Sequence, residues 1–366
     1  MKENRVISPG QLLNLIVLFE FGTALVLPIG LEAKQSTWLS VLLALPGGIA
    51  LFLLYTYLLR QFPRTIWSGC IRNILGRFIG YPVSLMYVAY FLYGASRNLR
   101  EAGDLLVTAA YDQTPLFVIH LVMAAAVVYV LYKGLEVFSR LGQVYFIIML
   151  SLGLIGNAAV FVSGLVDINN LLPIQGEGWG SVFQAAYPHI WMFPFGEVLA
   201  FATIIPFLKK ETSAEKTGIV ALTFSGGLLC LSHAMQVAVL GADVYGRATF
   251  PLFQTISMVN IGDFMQRLDA IVMLTLIIGV FFKMSVYCYA AMSTMADLLR
   301  MPDERPLALP VGVVVLYASI ISAWSYPAHA EEGKAGIFYV LLPVCVIIPG
   351  ALLVVHLARK RLGLYR

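Results

Sequence analysis

Long uninterrupted apolar runs constrain this chain more than any other feature. Ten runs of at least 18 residues lie near 9–30, 37–59, 79–99, 116–133, 141–165, 184–207, 217–240, 264–292, 307–326 and 335–357. A helix needs about 20 apolar residues to cross the hydrocarbon core of a bilayer. Lipid offers no partner to backbone N–H and C=O groups, so such runs must be helical. The chain therefore reads as an all-α, polytopic membrane protein with ten transmembrane helices. Composition agrees. Only 12% of the 366 residues are charged, against about 25% in soluble domains. An ordinary cytosolic enzyme, a disordered chain and a disulfide scaffold are excluded. The loops leave no room for a large soluble domain, so one domain is expected over 1–366. The first run starts at Ser8-Pro9, an N-cap followed by Pro at the first helical position. It is too long for the apolar stretch of a cleaved signal.

The cations sort by side. With ten spans, seventeen Lys and Arg fall at the termini and in the even-numbered loops, and six fall in the others. Cytoplasmic loops are enriched in Lys and Arg, so both termini are expected in the cytoplasm. One cation, Lys283, lies within span 8. Two connections are expected to be helical. Residues 64–78 place Trp67, Ile71, Ile74, Leu75 and Phe78 on one face and Arg64, Arg72 and Arg77 on the other. That pattern predicts a basic helix lying on the cytoplasmic leaflet. The segment 240–263 contains a stretch starting at Pro251 that reads as a short cap helix on the outer face. Cys70, Cys230, Cys288 and Cys345 are scattered, which argues against a disulfide or a thiolate metal site.

An internal repeat organises the spans. Phe19-Glu20-Phe21-Gly22-Thr23 in span 1 and Phe193-Pro194-Phe195-Gly196-Glu197 in span 6 are offset by 174 residues, near half the chain. Five spans per half require the second half to be inverted. This five-plus-five inverted repeat occurs in many secondary transporters, with repeat one at about 8–165 and repeat two at about 183–358. Gly and Pro interrupt spans 1 and 6 at matching positions, and irregular backbone at membrane depth is tolerated only in protein or along a cavity. The broken helices 1 and 6 therefore mark a midplane site. Their free ends could offer N–H groups to a carboxylate and carbonyls to an ammonium. The plainer alternative is that Gly22 and Gly196 only permit close helix packing.

Glu20, Glu197 and Lys283 sit inside apolar runs. Each would cost about 2.5–3.5 kcal/mol if exposed at the bilayer centre, so each should face a polar interior and a partner. Span 8 packs against span 1 in such repeats, and Lys283 is expected to pair with Glu20. A structural salt bridge, or a carboxyl that stays protonated, would serve equally. Tyr93, Arg97, Arg100, Glu101 and Asp104 close span 3 and could form an ion-pair network. Ser285 and Tyr289 share a face of span 8 and could hydrogen-bond a ligand. The five His residues do not cluster. HExxH, nucleophile-elbow and phosphate-loop motifs are absent. No metal, no cofactor, no nucleic-acid partner and no enzymatic activity are expected.

An ordered set of short motifs carries a resemblance. Ile7-Ser-Pro-Gly-Gln opens span 1 and Ala33-Lys-Gln follows it. Asn170-Leu-Leu-Pro-Ile precedes the second break. Arg267-Leu-Asp-Ala-Ile precedes Gly279-Val-Phe-Phe-Lys-Met-Ser-Val-Tyr. Together with the two Phe-x-Phe-Gly motifs, these resemble the permease-type B subunits of bacterial endospore germinant receptors, nearly end to end. The resemblance implies the leucine-transporter-type fold of the amino acid–polyamine–organocation superfamily. It implies a multi-pass protein of the spore inner membrane that binds an amino acid or similar small nutrient. It also implies partnership with receptor A and C subunits. The site it implies comprises Glu20, Phe21, Gly22 and Thr23 from the first break and Phe195, Gly196 and Glu197 from the second. Lys283, Ser285 and Tyr289 from span 8, and Tyr93 from span 3, complete it. A proton- or cation-coupled amino-acid transporter remains the alternative, because the two share a fold.

Overall fold

The structure is a computed structural model describing residues 6–174, 176, 178–209, 213–260, 268–323 and 325–363. Lys2, Arg5, Lys210, Arg267 and Arg366, counted above among the cations, lie outside the described residues, as do residues 261–263 of the outer segment.

Helix α1 (Pro9–Phe21) starts as its sequence dictates. Ser8 accepts from the Gln11 backbone, and the Gln11 side chain accepts from the Ser8 N–H in return, closing a capping box. The helix stops at Gly22, where φ is +23°, so the α-helix covers about half of the first apolar run. A 3₁₀ turn (Leu31–Ser36) leads into α2 (Thr37–Arg60). Helix α3 (Trp67–Ala109) runs 43 residues and bends at Gly76, where φ is +79°. Helices α4 (Leu116–Lys133) and α5 (Leu135–Val162) complete the first half.

The next apolar run differs from its neighbours. A short helix α6 (Gly178–Gln184) passes into a π-helical turn (Ala185–Ile190), then a 3₁₀ helix (Phe195–Thr203) and a 3₁₀ turn (Ile205–Phe207). Helix α7 (Ala214–Arg247) follows, and α8 (Pro251–Ser257) forms where the sequence placed a short helix. Helices α9 (Asp269–Leu298), α10 (Ala308–Ile321) and α11 (Tyr326–Gly336) come next. Two π-helical turns (Ile337–Leu341 and Pro343–Ile347) then lead into α12 (Ile348–Arg361).

Seven helical stretches among the described residues are long and apolar enough to cross a membrane. Pro9–Phe21 and Arg305–Ile321 are shorter apolar helices. This is a mostly helical membrane protein. Helix α9 is its axis, packed against α1, α3, α5 and the Phe195–Thr203 helix. From Phe282 to Thr294 every side chain of α9 is buried. The helix comes so close to α1 that a Cβ on Gly279 would lie 2.7 Å from the Gly22 carbonyl oxygen. Small residues of this kind are what let membrane helices touch backbone to backbone.

One sequence expectation changes. Residues 67–75 are helical and bury Trp67, Ile71 and Ile74, but against protein rather than lipid headgroups. The Trp67 ring meets Tyr55 and Tyr87 at 5.8 and 5.9 Å. Arg72 grips both Asp297 oxygens at 2.7 and 2.9 Å, and Ser68 donates to the same carboxylate. Phe78, assigned to the apolar face, is 95% exposed because the Gly76 bend turns the chain before it. The apolar face packs on Tyr55 and Tyr87, and the polar side is tied to the end of α9 through Arg72 and Ser68. The four cysteines are free thiols.

Candidate functional site

The ionisable side chains of the apolar runs converge. Lys283 is fully buried, and its Nζ lies 2.6 Å from Glu197 Oε2. The distance is that of an ion pair, while the angles fall outside those of a hydrogen bond. The expected Lys283–Glu20 pair is thus replaced by Lys283–Glu197. Glu20 is fully buried, and neither carboxylate oxygen has a hydrogen-bond partner. The charges that act on it are those of Lys283 and Glu197.

Aromatic faces enclose the ammonium. Lys283 Nζ sits 4.5 Å from the Phe193 ring centroid and 5.1 Å from that of Phe19, both within cation–π range. Phe19 is held edge-on by Phe201 at 5.3 Å and meets Tyr287 at 5.2 Å. Tyr287 is one helical turn beyond Lys283, on the same face. Its hydroxyl is buried near Glu197 without a well-aligned hydrogen bond. Phe19, Phe193 and Tyr287 escaped the sequence reading. The signals were present: Phe19 and Phe193 are the first letters of the two repeated motifs, and Tyr287 lies at i+4 from Lys283.

The remaining residues fall in different places. Gly22 lies against the lysine stem, so that a Cβ there would overlap Lys283 Cδ. Phe195 is buried between Gly48 of α2 and Gly226 of α7, turned to packing. Gly196 is the second residue of the 3₁₀ helix, with Met192 Cε and the Trp191 carbonyl 3.3 Å from where its Cβ would be. Phe21 faces a separate apolar cavity. Thr23 is buried beside Glu101, its hydroxyl without a well-aligned partner. Ser285 and Tyr289 are buried on α9 two residues out of phase with Lys283 and Tyr287, hence on another face.

Tyr93 belongs to a second cluster. Its hydroxyl donates to Glu332 Oε1 at 2.6 Å, and Arg97 pairs with Glu332 while lying over the Tyr93 ring. Arg97 also reaches Glu101 at 3.4 Å, and His329 Nε2 lies 3.4 Å from the same carboxylate. Arg100 pairs with Asp104 at 2.9 Å and donates to the Ala323 carbonyl at 3.0 Å. This network ties α3 to the α10–α11 region.

Chemically, the first cluster suits a zwitterion. Helix α1 ends at Phe21, where the Leu18 and Phe21 carbonyls accept from the Gly22 and Leu25 N–H groups, and the negative end of the helix suits an ammonium beside Glu20. The 3₁₀ helix starts at Phe195; the Glu197 N–H in its first turn donates to the Pro194 carbonyl at 3.2 Å, and the positive end of the helix suits a carboxylate. Among the described residues, no group of three or more His, Cys, Asp or Glu could hold a metal ion.

Residues 6–326 match the model of a family described as spore germination protein, the spore permeases. The chain is 34% identical over 360 residues to spore germination protein KB of Bacillus subtilis (strain 168), covering 98% of this chain and 96% of that one. It is 26% identical over 306 residues to spore germination protein A2 of the same organism, covering 81% of each. Among solved structures, MhsT in complex with L-phenylalanine aligns with a TM-score of 0.66 over 95% of this chain and 97% of that one, at 13% identity. The fold is therefore of the leucine-transporter type.

Proposed function

This chain belongs to the spore germination permease family, and on that premise we propose that it is the nutrient-sensing, permease-like subunit of a spore germination receptor. It binds an amino acid or similar small nutrient at the cluster of Lys283, Glu197 and Glu20. The observation that carries this reading is the unmet hydrogen bonding there. Lys283 answers Glu197, and Glu20 is left buried with two unpartnered oxygens beside the end of α1. A buried carboxyl whose oxygens lack partners is expensive, and a ligand ammonium is a group that would relieve it. That MhsT holds L-phenylalanine in the same fold is in keeping with an amino-acid ligand.

The span count follows the same reading. Seven long helices, two shorter apolar ones and the interrupted segment through Phe195–Thr203 make ten crossings, arranged as five plus five inverted, with α1 and the Phe195–Thr203 segment as the broken pair. Both termini then face the cytoplasm and the protein lies in the spore inner membrane, assembled with A and C subunits. Ligand binding selects one arrangement of the bundle and passes it to those partners.

Spores lacking this chain, screened against the 20 amino acids and common sugars, should lose germination to at least one of them. Purified chain should bind that nutrient, and Glu20→Gln should weaken binding. A full nutrient response without the chain would sink the reading. Uptake of labelled nutrient into proteoliposomes by the chain alone would favour a transporter over a sensor.

A further inference from the structure

Beyond Phe21 the first apolar run is irregular as far as Gly30. The sequence dictates part of this. A helix would pair the Ala24 carbonyl with the N–H four residues on, and that residue is Pro28, which has none. Backbone groups stranded inside a protein must find partners elsewhere, and α7 supplies them. His233 Nε2 lies 3.0 Å from the Ala24 oxygen, and Gln236 Nε2 donates to the Leu25 carbonyl at 3.2 Å. The Tyr245 hydroxyl accepts from the Ile29 N–H at 3.1 Å and lies 2.9 Å from His233 Nδ1.

These partners fix the protons. A carbonyl can only accept, so His233 carries its proton on Nε2 and donates to Ala24. Nδ1 is then an acceptor, and the Tyr245 hydroxyl donates to it. The result is one chain of bonds from Ile29 through Tyr245 and His233 to Ala24. Both side chains are buried, 1% and 0% exposed. On a straight helix these two residues would stand about 18 Å apart. Helix α7 bends at Gly241, where φ is +73°, and brings the ring centroids to 6.1 Å. The Ala238 carbonyl, just ahead of the bend, accepts from the Asn170 side chain at 2.9 Å and from the Asp167 N–H at 3.1 Å. Gln35 donates to the Pro173 carbonyl at 3.2 Å. The motifs Asn170-Leu-Leu-Pro-Ile and Ala33-Lys-Gln thus meet each other, and Asn170 meets the bend.

We propose that His233 and Tyr245 are positioning residues of the nutrient site, an inference that rests on the reading of that site given above. They touch no nutrient. They hold the irregular half of span 1 in the one shape that sets Gly22 against the Lys283 stem and Thr23 beside Glu101. Ala24 is the next residue along, so the bond from His233 anchors the chain directly behind the site. Without that anchor, the segment from Thr23 to Ile29 has several shapes open to it, and a ligand must select one of them at a cost in affinity.

Tyr245→Phe removes one oxygen and keeps the ring. In hydrogen–deuterium exchange on the full chain in phosphatidylglycerol–phosphatidylethanolamine nanodiscs, amides 24–30 should exchange about tenfold faster in this variant, with those of α4 unchanged. Binding of each of the 20 tritiated L-amino acids, measured one at a time, should show a bound one held about tenfold more weakly by Tyr245→Phe and His233→Leu, at undiminished capacity. His233→Gln keeps an N–H for Ala24 and should bind within about threefold of the wild type. Unchanged exchange, unchanged affinity, a loss of capacity without loss of affinity, or equal losses for His233→Gln and His233→Leu would overturn the proposal. A wild-type chain that binds none of the 20 would sink the nutrient reading itself, and this inference with it.

Discussion

Two clusters of buried charge in this molecule follow opposite rules. Around Arg97, each charged group has an answer, although His329 Nδ1 is left without one: Glu332 and Glu101 for Arg97, His329 for Glu101, Asp104 and a backbone carbonyl for Arg100. Its rim reaches solvent or headgroup, with the Glu332 side chain 39% exposed. Around Lys283 the counts do not close. One pair has imperfect angles, one carboxylate has no partner, and the hydroxyls of Tyr287 and Ser285 are left without hydrogen bonds. A satisfied network holds helices together. An unsatisfied one, kept buried, is what the proposed nutrient site would need.

The contrast can be broken by substitution. Lys283→Met should have the largest effect, leaving Glu197 and Glu20 buried without a cation. A loss of about 3–5 kcal/mol is expected, read as a fall in thermal stability in detergent and in membrane accumulation. Adding Glu197→Gln should recover much of it, and no recovery would mean that the lysine serves packing instead. Gly22→Leu comes next. Its Cβ overlaps the Lys283 stem and its backbone φ is positive, so overpacking and strain should cost about 2–4 kcal/mol. Nutrient response should vanish even where the protein accumulates.

Arg100→Ala should cost about 1.5 kcal/mol, the worth of a hydrogen bond to a charged group, and leave nutrient response intact. A response lost as completely as in the Lys283 variant would erase the distinction between the clusters. The smallest change in stability is expected for Glu20→Gln. Removing a buried carboxyl whose oxygens lack partners should leave the melting temperature equal or higher, while nutrient affinity falls by about tenfold or more, the scale of one charge-assisted contact. A lower melting temperature with normal affinity would make Glu20 a structural residue.

The sequence marked the neighbourhood of the buried charges more surely than their contacts. Glu20, Glu197 and Lys283 stood out because charge is rare in such runs, and Gly22 because a glycine interrupts one. The partner of Lys283 did not, since α1 and the Phe195–Thr203 helix both flank α9 and their rotation decides which carboxylate meets the ammonium. The aromatic motifs show the same limit. In each Phe-x-Phe-Gly the second Phe looked the better contact, yet Phe19 and Phe193 face Lys283 while Phe21 and Phe195 turn away. Backbone without regular helical phase between Ile190 and Phe195 has no period from which a side chain's direction could be read. Tyr93 was drawn off by Glu332, some 240 residues further along, a pairing that no local pattern announces.

Ile7, just ahead of α1, forms a parallel bridge with Leu208 beyond the Phe195–Thr203 helix: its N–H donates to the Phe207 carbonyl at 3.0 Å, and its carbonyl accepts from Lys209 at 2.9 Å. Two interrupted segments from opposite halves of the chain are thereby yoked at one end, so a pull on either is felt by both. A tag or fusion ahead of Ile7 grips that yoke directly, whereas one placed after α12 does not.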